Sequence, residues 1–119
     1  MEFRLLGPLE VRRDDGPLPV RGPKQRALLV LLLLHANETL SRERLIDQLW
    51  GERPPATAPK ALQVYVSQLR KLLEPDRPLE TTATGYMLRL EPGQLDLHRF
   101  ETLLAEGRSA LGEIGRAHV

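Results

Sequence analysis

Between Lys60 and Lys71 the chain spaces its hydrogen-bonding and cationic side chains so that one side of a helix can carry them together. At about 100° per residue, Lys60, Gln63, Val64, Ser67, Arg70, Lys71 and Glu74 share a side, and Ala58, Leu62, Tyr65, Val66, Leu69, Leu72 and Leu73 share the opposite one. The apolar side asks for burial. The polar side offers cations, an amide that donates and accepts, a hydroxyl and one pair of β-branched methyls. Such a set can read a nucleic-acid groove: glutamine hydrogen-bonds adenine, lysine and arginine reach guanine or phosphate, and methyls pack on thymine. A charged helix face is by default only solvated, so the surrounding elements must decide. Val64 already tips the balance, because an apolar side chain on the outer face has no packing partner there.

Other chemistries are poorly supplied. The 119 residues suit one domain, and 41% apolar with 28% charged residues can bury a core under a wettable surface. No cysteine is present, which removes disulfides, thiolate metal sites and thiol nucleophiles, and fits a cytoplasmic home. His35, His98 and His118 are too scattered for a short-range ligand pair, so neither a metal nor another cofactor is expected. Gly22-Pro23-Lys24 lacks the spacing and the following hydroxyl of a phosphate loop. No nucleophile, base and orienting group cluster on one element, so an enzyme is not expected. The longest apolar run, Ala27 to Leu34, falls short of the roughly 20 residues that span a bilayer. It reads as a helix buried on most sides. Net charge is +1, yet residues 53–77 carry five basic side chains against two acidic ones, so any polyanion contact should come from mid-chain.

The elements that would position the Lys60 face follow in order. Strand patterns at Glu2 to Leu6 and Leu9 to Arg12, a turn at Asp14-Asp15-Gly16 and a short edge segment Leu18-Pro19-Val20 predict an antiparallel meander. Pro23 starts a helix that runs to about Ala36, where Asn37 is the expected cap and His35 suits the helix dipole. Ser41 caps a second helix through Leu45, Leu49 and Trp50, closed by Gly51. Trp50 and Tyr86 read as core residues with polar tips. The stiff stretch Glu52-Arg53-Pro54-Pro55-Ala56 should be exposed. The third helix runs from about Thr57 to Leu73, then a hairpin from Leu79 to Thr82 and Tyr86 to Leu90. Asp96 caps a last helix bearing Leu97, Phe100, Leu103, Leu104 and Leu111, with Gly107 within it; this helix should pack on the N-terminal sheet or on a second protomer. The fold class expected is α+β: a winged helix-turn-helix with an N-terminal antiparallel sheet, three helices, a C-terminal β-hairpin wing and a C-terminal helix.

The stretches Leu6-Gly7-Pro8-Leu9-Glu10-Val11, Arg21-Gly22-Pro23-Lys24-Gln25-Arg26-Ala27-Leu28-Leu29, Leu45-Ile46-Asp47-Gln48-Leu49-Trp50-Gly51, 61–73 and Gly85-Tyr86-Met87-Leu88-Arg89-Leu90 resemble the DNA-binding domain of SARP-type antibiotic regulatory proteins, an OmpR/PhoB-type winged helix. The resemblance implies a DNA-binding domain at 1–92 and, from Asp96-Leu97-His98-Arg99-Phe100, the truncated start of a helical bacterial transcriptional activation domain at 93–119. It also implies an activator that binds direct repeats of double-stranded DNA as side-by-side protomers and touches RNA polymerase, with no membrane partner. By that analogy Lys60, Gln63, Val64 and Ser67 face bases, and Lys24, Arg26, Arg70 and Lys71 face phosphates. Thr82, Thr84 and Gly85 form the wing, and Glu52, Arg53, Pro54 and Pro55 the polymerase-facing loop. Two positions depart from the family pattern. Gln68 stands where arginine is common, and the wing offers Thr81, Thr82 and Thr84 instead of an arginine. Both imply modest affinity per protomer, which tandem sites would offset. Near-neutral charge and these departures also support a second reading, a winged-helix protein-interaction module.

Overall fold

The computed structural model describes residues 1–97. Strands β1 (Glu2–Arg4), β2 (Glu10–Arg13) and β3 (Gly16–Leu18) form an antiparallel sheet in that order. Phe3 lies opposite Val11, and both are fully buried. The strands are shorter or shifted relative to expectation, and β3 stops before Pro19 because a second proline so soon after Pro17 would cost another backbone donor.

Helix α1 (Pro23–Leu34) starts on its proline and ends at His35, whose N–H reaches the Leu31 carbonyl at 3.2 Å. It is therefore shorter than expected. Asn37 is not the cap: at φ 66° it turns away and exchanges two hydrogen bonds with Leu90, donating from Nδ2 at 3.3 Å and accepting the Leu90 N–H at 2.9 Å. Leu28, Leu29, Leu32 and Leu33 are buried, but Leu34 is 53% exposed, so α1 buries one broad face rather than most of its circumference.

Strand β4 (Leu40–Ser41), too short to show any alternation in the sequence, leads into α2 (Arg42–Trp50). The Ser41 hydroxyl accepts the Arg44 N–H at 3.1 Å, and Gly51 at φ 79° ends the helix. Ser41→Ala should lower stability by about 1 kcal/mol in thermal or urea unfolding; an unchanged midpoint would contradict a working cap.

Helix α3 (Ala58–Leu72) has Pro59 in its first turn, and Thr57 precedes it without a side-chain cap bond. Its inner side, Ala58, Leu62, Val66 and Leu69, joins leucines of α1 and α2 in one core that also holds Leu79, Tyr86 and Leu88. Strands β5 (Leu79–Thr81) and β6 (Gly85–Leu88) make the expected hairpin. It is not free-standing, because β6 also pairs with β4 in a sheet of order β4-β6-β5.

Beyond β6 the chain returns to β1. Leu95 is buried and forms a parallel bridge with Phe3, whose N–H donates to the Gln94 carbonyl at 2.6 Å. The Asp96 carboxylate accepts the Leu5 N–H at 2.7 Å and the Leu6 N–H at 3.0 Å. Asp96 is thus a clasp on the end of β1, and the helix expected to follow it runs into residues outside those described. These bonds cross the boundary expected at residue 92. His98, Phe100, Leu103, Leu104, Gly107, Leu111 and His118 lie outside the described residues.

Candidate nucleic-acid interface

Burying Leu62, Val66 and Leu69, at 1, 1 and 0% exposure, fixes which side of α3 looks outward. Lys60, Gln63, Val64, Ser67 and Lys71 are all exposed, Val64 to 47%. The row expected to face bases, Lys60, Gln63, Val64 and Ser67, is therefore contiguous and accessible, and Lys71, expected at phosphate, is exposed one turn beyond Ser67.

The two flanks of this row are tied to the rest of the domain. On the wing side, Arg70 donates from Nε to the Leu79 carbonyl at 3.4 Å and from a terminal nitrogen to the Thr81 hydroxyl. Its guanidinium lies 5.9 Å from the centre of the buried Tyr86 ring, and that of Arg42, at the start of α2, lies 5.4 Å from it. Arg70, expected to face phosphate, is half-buried and acts as a strut between α3 and β5. On the other flank Gln68 accepts a hydrogen bond at 3.2 Å from Gln25 Nε2. Gln25 is only 9% exposed, and its Oε1 accepts the Arg21 N–H at 3.3 Å.

Lys24 is likewise engaged: its ammonium donates to the Leu49 carbonyl and sits 5.3 Å from the Trp50 ring, which stacks on Tyr65 at 6.3 Å between centroids. Trp50 is half-buried rather than core, since it supplies a face to this cation. Of the four cations expected at phosphates, Arg26 and Lys71 are the exposed ones.

Wing residues divide by role. Thr84 is exposed. Thr82 is half-buried, and its hydroxyl accepts the Gly85 N–H at 3.1 Å, closing the turn. Gly85 is buried against β4, so it shapes the wing and presents nothing to a ligand. On the outer side of the hairpin Arg89 forks onto Glu80 at 3.0 and 3.1 Å. These hydrogen bonds hold the Glu80 carboxyl below its ordinary range and raise Arg89. The pair's contribution is present above the ordinary carboxylate range and is lost as pH falls through the lowered Glu80 value; being exposed, it is small. Glu52, Arg53, Pro54 and Pro55 all lie exposed between α2 and α3.

Sequence reasoning missed Gln25, Arg42 and the strut role of Arg70. Gln25 was findable: it stands three and four residues before Leu28 and Leu29, on the core side of α1. Among the described residues no His, Asp and Glu cluster could hold a metal ion, and no helix is long and apolar enough to cross a membrane.

Residues 20–88 match the family described as "Transcriptional regulatory protein, C terminal". The regulatory protein AfsR of Streptomyces coelicolor is 42% identical over 111 residues, covering 92% of this chain and 11% of AfsR. EmbR of Mycobacterium tuberculosis, solved in complex with a low-affinity phosphopeptide, superposes with a TM-score of 0.78 at 40% identity over 83% of this chain and 27% of that one. The DNA-binding domain of Escherichia coli CadC gives a TM-score of 0.58 at 30% identity, over 69% of this chain and 79% of that one. The chain thus spans a minor part of AfsR and EmbR. A buried-underside α3, a wing strutted to it and this match over 20–88 converge, and the chain belongs to the DNA-binding transcriptional regulators of that family, as an OmpR/PhoB-type winged helix of the SARP kind.

Proposed function

We propose that the protein is a sequence-specific transcriptional activator, acting in the cytoplasm on antibiotic or other secondary-metabolite genes. It binds direct repeats as side-by-side protomers, places α3 in the major groove and meets RNA polymerase through Glu52, Arg53, Pro54 and Pro55. The observation that carries this reading is the exposed row Lys60, Gln63, Val64, Ser67 and Lys71 over a fully buried underside. Gln63 and Val64 face base edges, with Lys60 and Ser67 beside them. Lys71 and Arg26 meet phosphates.

A salt titration against a duplex selected from random sequence tests it. Log affinity should fall linearly with log salt, Lys71→Ala should lower the slope by about one, and Gln63→Ala should cost on the order of 1–3 kcal/mol at one base pair. Salt-independent binding would sink the reading. The internal engagement of Lys24 and Arg70 favours the second reading, a protein-interaction winged helix, because it withdraws two cations from a polyanion. Failure to protect any repeat at micromolar protein would select it.

A further inference from the structure

Gln68 and Gln25 form a relay whose polarity is fixed from inside. A backbone N–H can only donate, so the Arg21 N–H requires the oxygen of the Gln25 amide at 3.3 Å. The Gln25 NH2 must then point the other way, and it meets Gln68 at 3.2 Å. That contact in turn requires the oxygen of Gln68, leaving the Gln68 NH2 as the outward end. An exposed glutamine ordinarily turns either end to a ligand; this one is held with its donor outward by a side chain that is only 9% exposed.

We propose that Gln68 acts as a one-sided donor to a phosphate oxygen of DNA, with Gln25 as the positioning residue that orients it. This rests on the reading of α3 as the groove-facing helix. Gln68 stands on the flank of the exposed row, one turn from Val64 and beside Lys71. The open cleft between it and the start of α1 is lined by Pro19, Arg21, Gln25, Gln68, Lys71 and Leu72, which include two cations and no acid. An amide bridging adenine must offer both a donor and an acceptor. With its oxygen turned inward to Gln25, Gln68 presents only its donor edge outward, and a phosphate oxygen needs only the donor.

Gln68→Glu is the sharpest variant. The new carboxylate still accepts from Gln25, so the interior is unchanged, while the outward end turns from donor to anion. Binding to the selected duplex should weaken about tenfold or more, and Gln68→Ala should lose several-fold. Gln25→Glu keeps the acceptor for Arg21 but demands a donor from Gln68, flipping its amide; it should weaken binding although it lies beneath the surface, and combined with Gln68→Ala it should add little. Should Gln25→Glu fail to fold, the side-chain amide protons of Gln68 in the parent protein give the same information, shifting on DNA addition. Equal loss for Gln68→Ala across operator variants supports the phosphate; loss confined to one base pair overturns it. Parent-like binding by Gln68→Glu overturns the proposal while leaving the DNA reading intact. A parent protein without salt-dependent binding removes both.

Discussion

Gly85→Ala should unfold the wing from the domain. A Cβ built on Gly85 would lie 1.8 Å from the Leu40 carbonyl oxygen, 2.7 Å from its carbon and 2.8 Å from the Ser41 Cα. All three are backbone atoms, so no rotamer change relieves the clash, and β4 must part from β6. Leu40 pairs with Tyr86 and Ser41 with Gly85, so parting them exposes Leu40 and Tyr86, both now at 5% exposure or less, and disturbs the Ser41 cap of α2. A loss on the order of 3 kcal/mol or more is expected, a large share of the roughly 5–15 kcal/mol that holds a domain together. Urea unfolding measures it directly. A parent-like midpoint would show that the two strands do not approach as closely as described.

The second large effect concerns binding with the fold intact. Lys60 and Lys71 are exposed toward the two ends of the α3 row. Reversing both, as Lys60→Glu with Lys71→Glu, should leave the unfolding midpoint within about 0.5 kcal/mol of the parent, because surface substitutions away from caps and cores cost little. Affinity for DNA should fall at least about 100-fold, since each reversal replaces an attraction to the DNA polyanion by a repulsion. The loss should shrink as salt rises and charges are screened. An undiminished affinity would mean that α3 does not meet the duplex. Lys24→Ala gives the opposite pattern: its ammonium serves Leu49 and Trp50, so stability should drop and the salt slope should hardly change.

Legibility in the sequence followed the length of each signal. Helix α3 could be placed to within about a residue because its apolar positions recur over four turns, and the same pattern named Lys60, Gln63, Val64, Ser67 and Lys71 as outward while leaving out the exposed Gln68. Ser41 and Gly51 marked α2 because capping chemistry is local. Strand β4 left no trace, since two residues cannot display alternation, and without it the hairpin reads as isolated. Long-range partners were the other blind spot. Nothing near Arg70 in the chain announces that its guanidinium will meet Leu79 and Thr81, and nothing near Asp96 announces Leu5 and Leu6. Tertiary contacts give the Asp96 carboxylate two backbone donors at Leu5 and Leu6, and the Arg70 guanidinium two acceptors at Leu79 and Thr81, that their sequence neighbours could not announce. Asn37 likewise shifts from an expected helix cap to a pin for the end of the second sheet at Leu90.

The clasp between β1 and residues 94–96 governs how a tug on the chain past Leu97 is resisted. Phe3 and Leu95 run parallel, so pulling the two ends of the domain apart slides one segment along the other and loads the Phe3, Leu5 and Leu6 bonds together instead of peeling them singly. The load falls on β1, which is itself paired along its length with β2. That sheet reaches α3 through Arg13, which donates to the Leu72 carbonyl at 3.1 Å. One side-chain bond thus joins the sheet that carries the clasp to the last turn of α3.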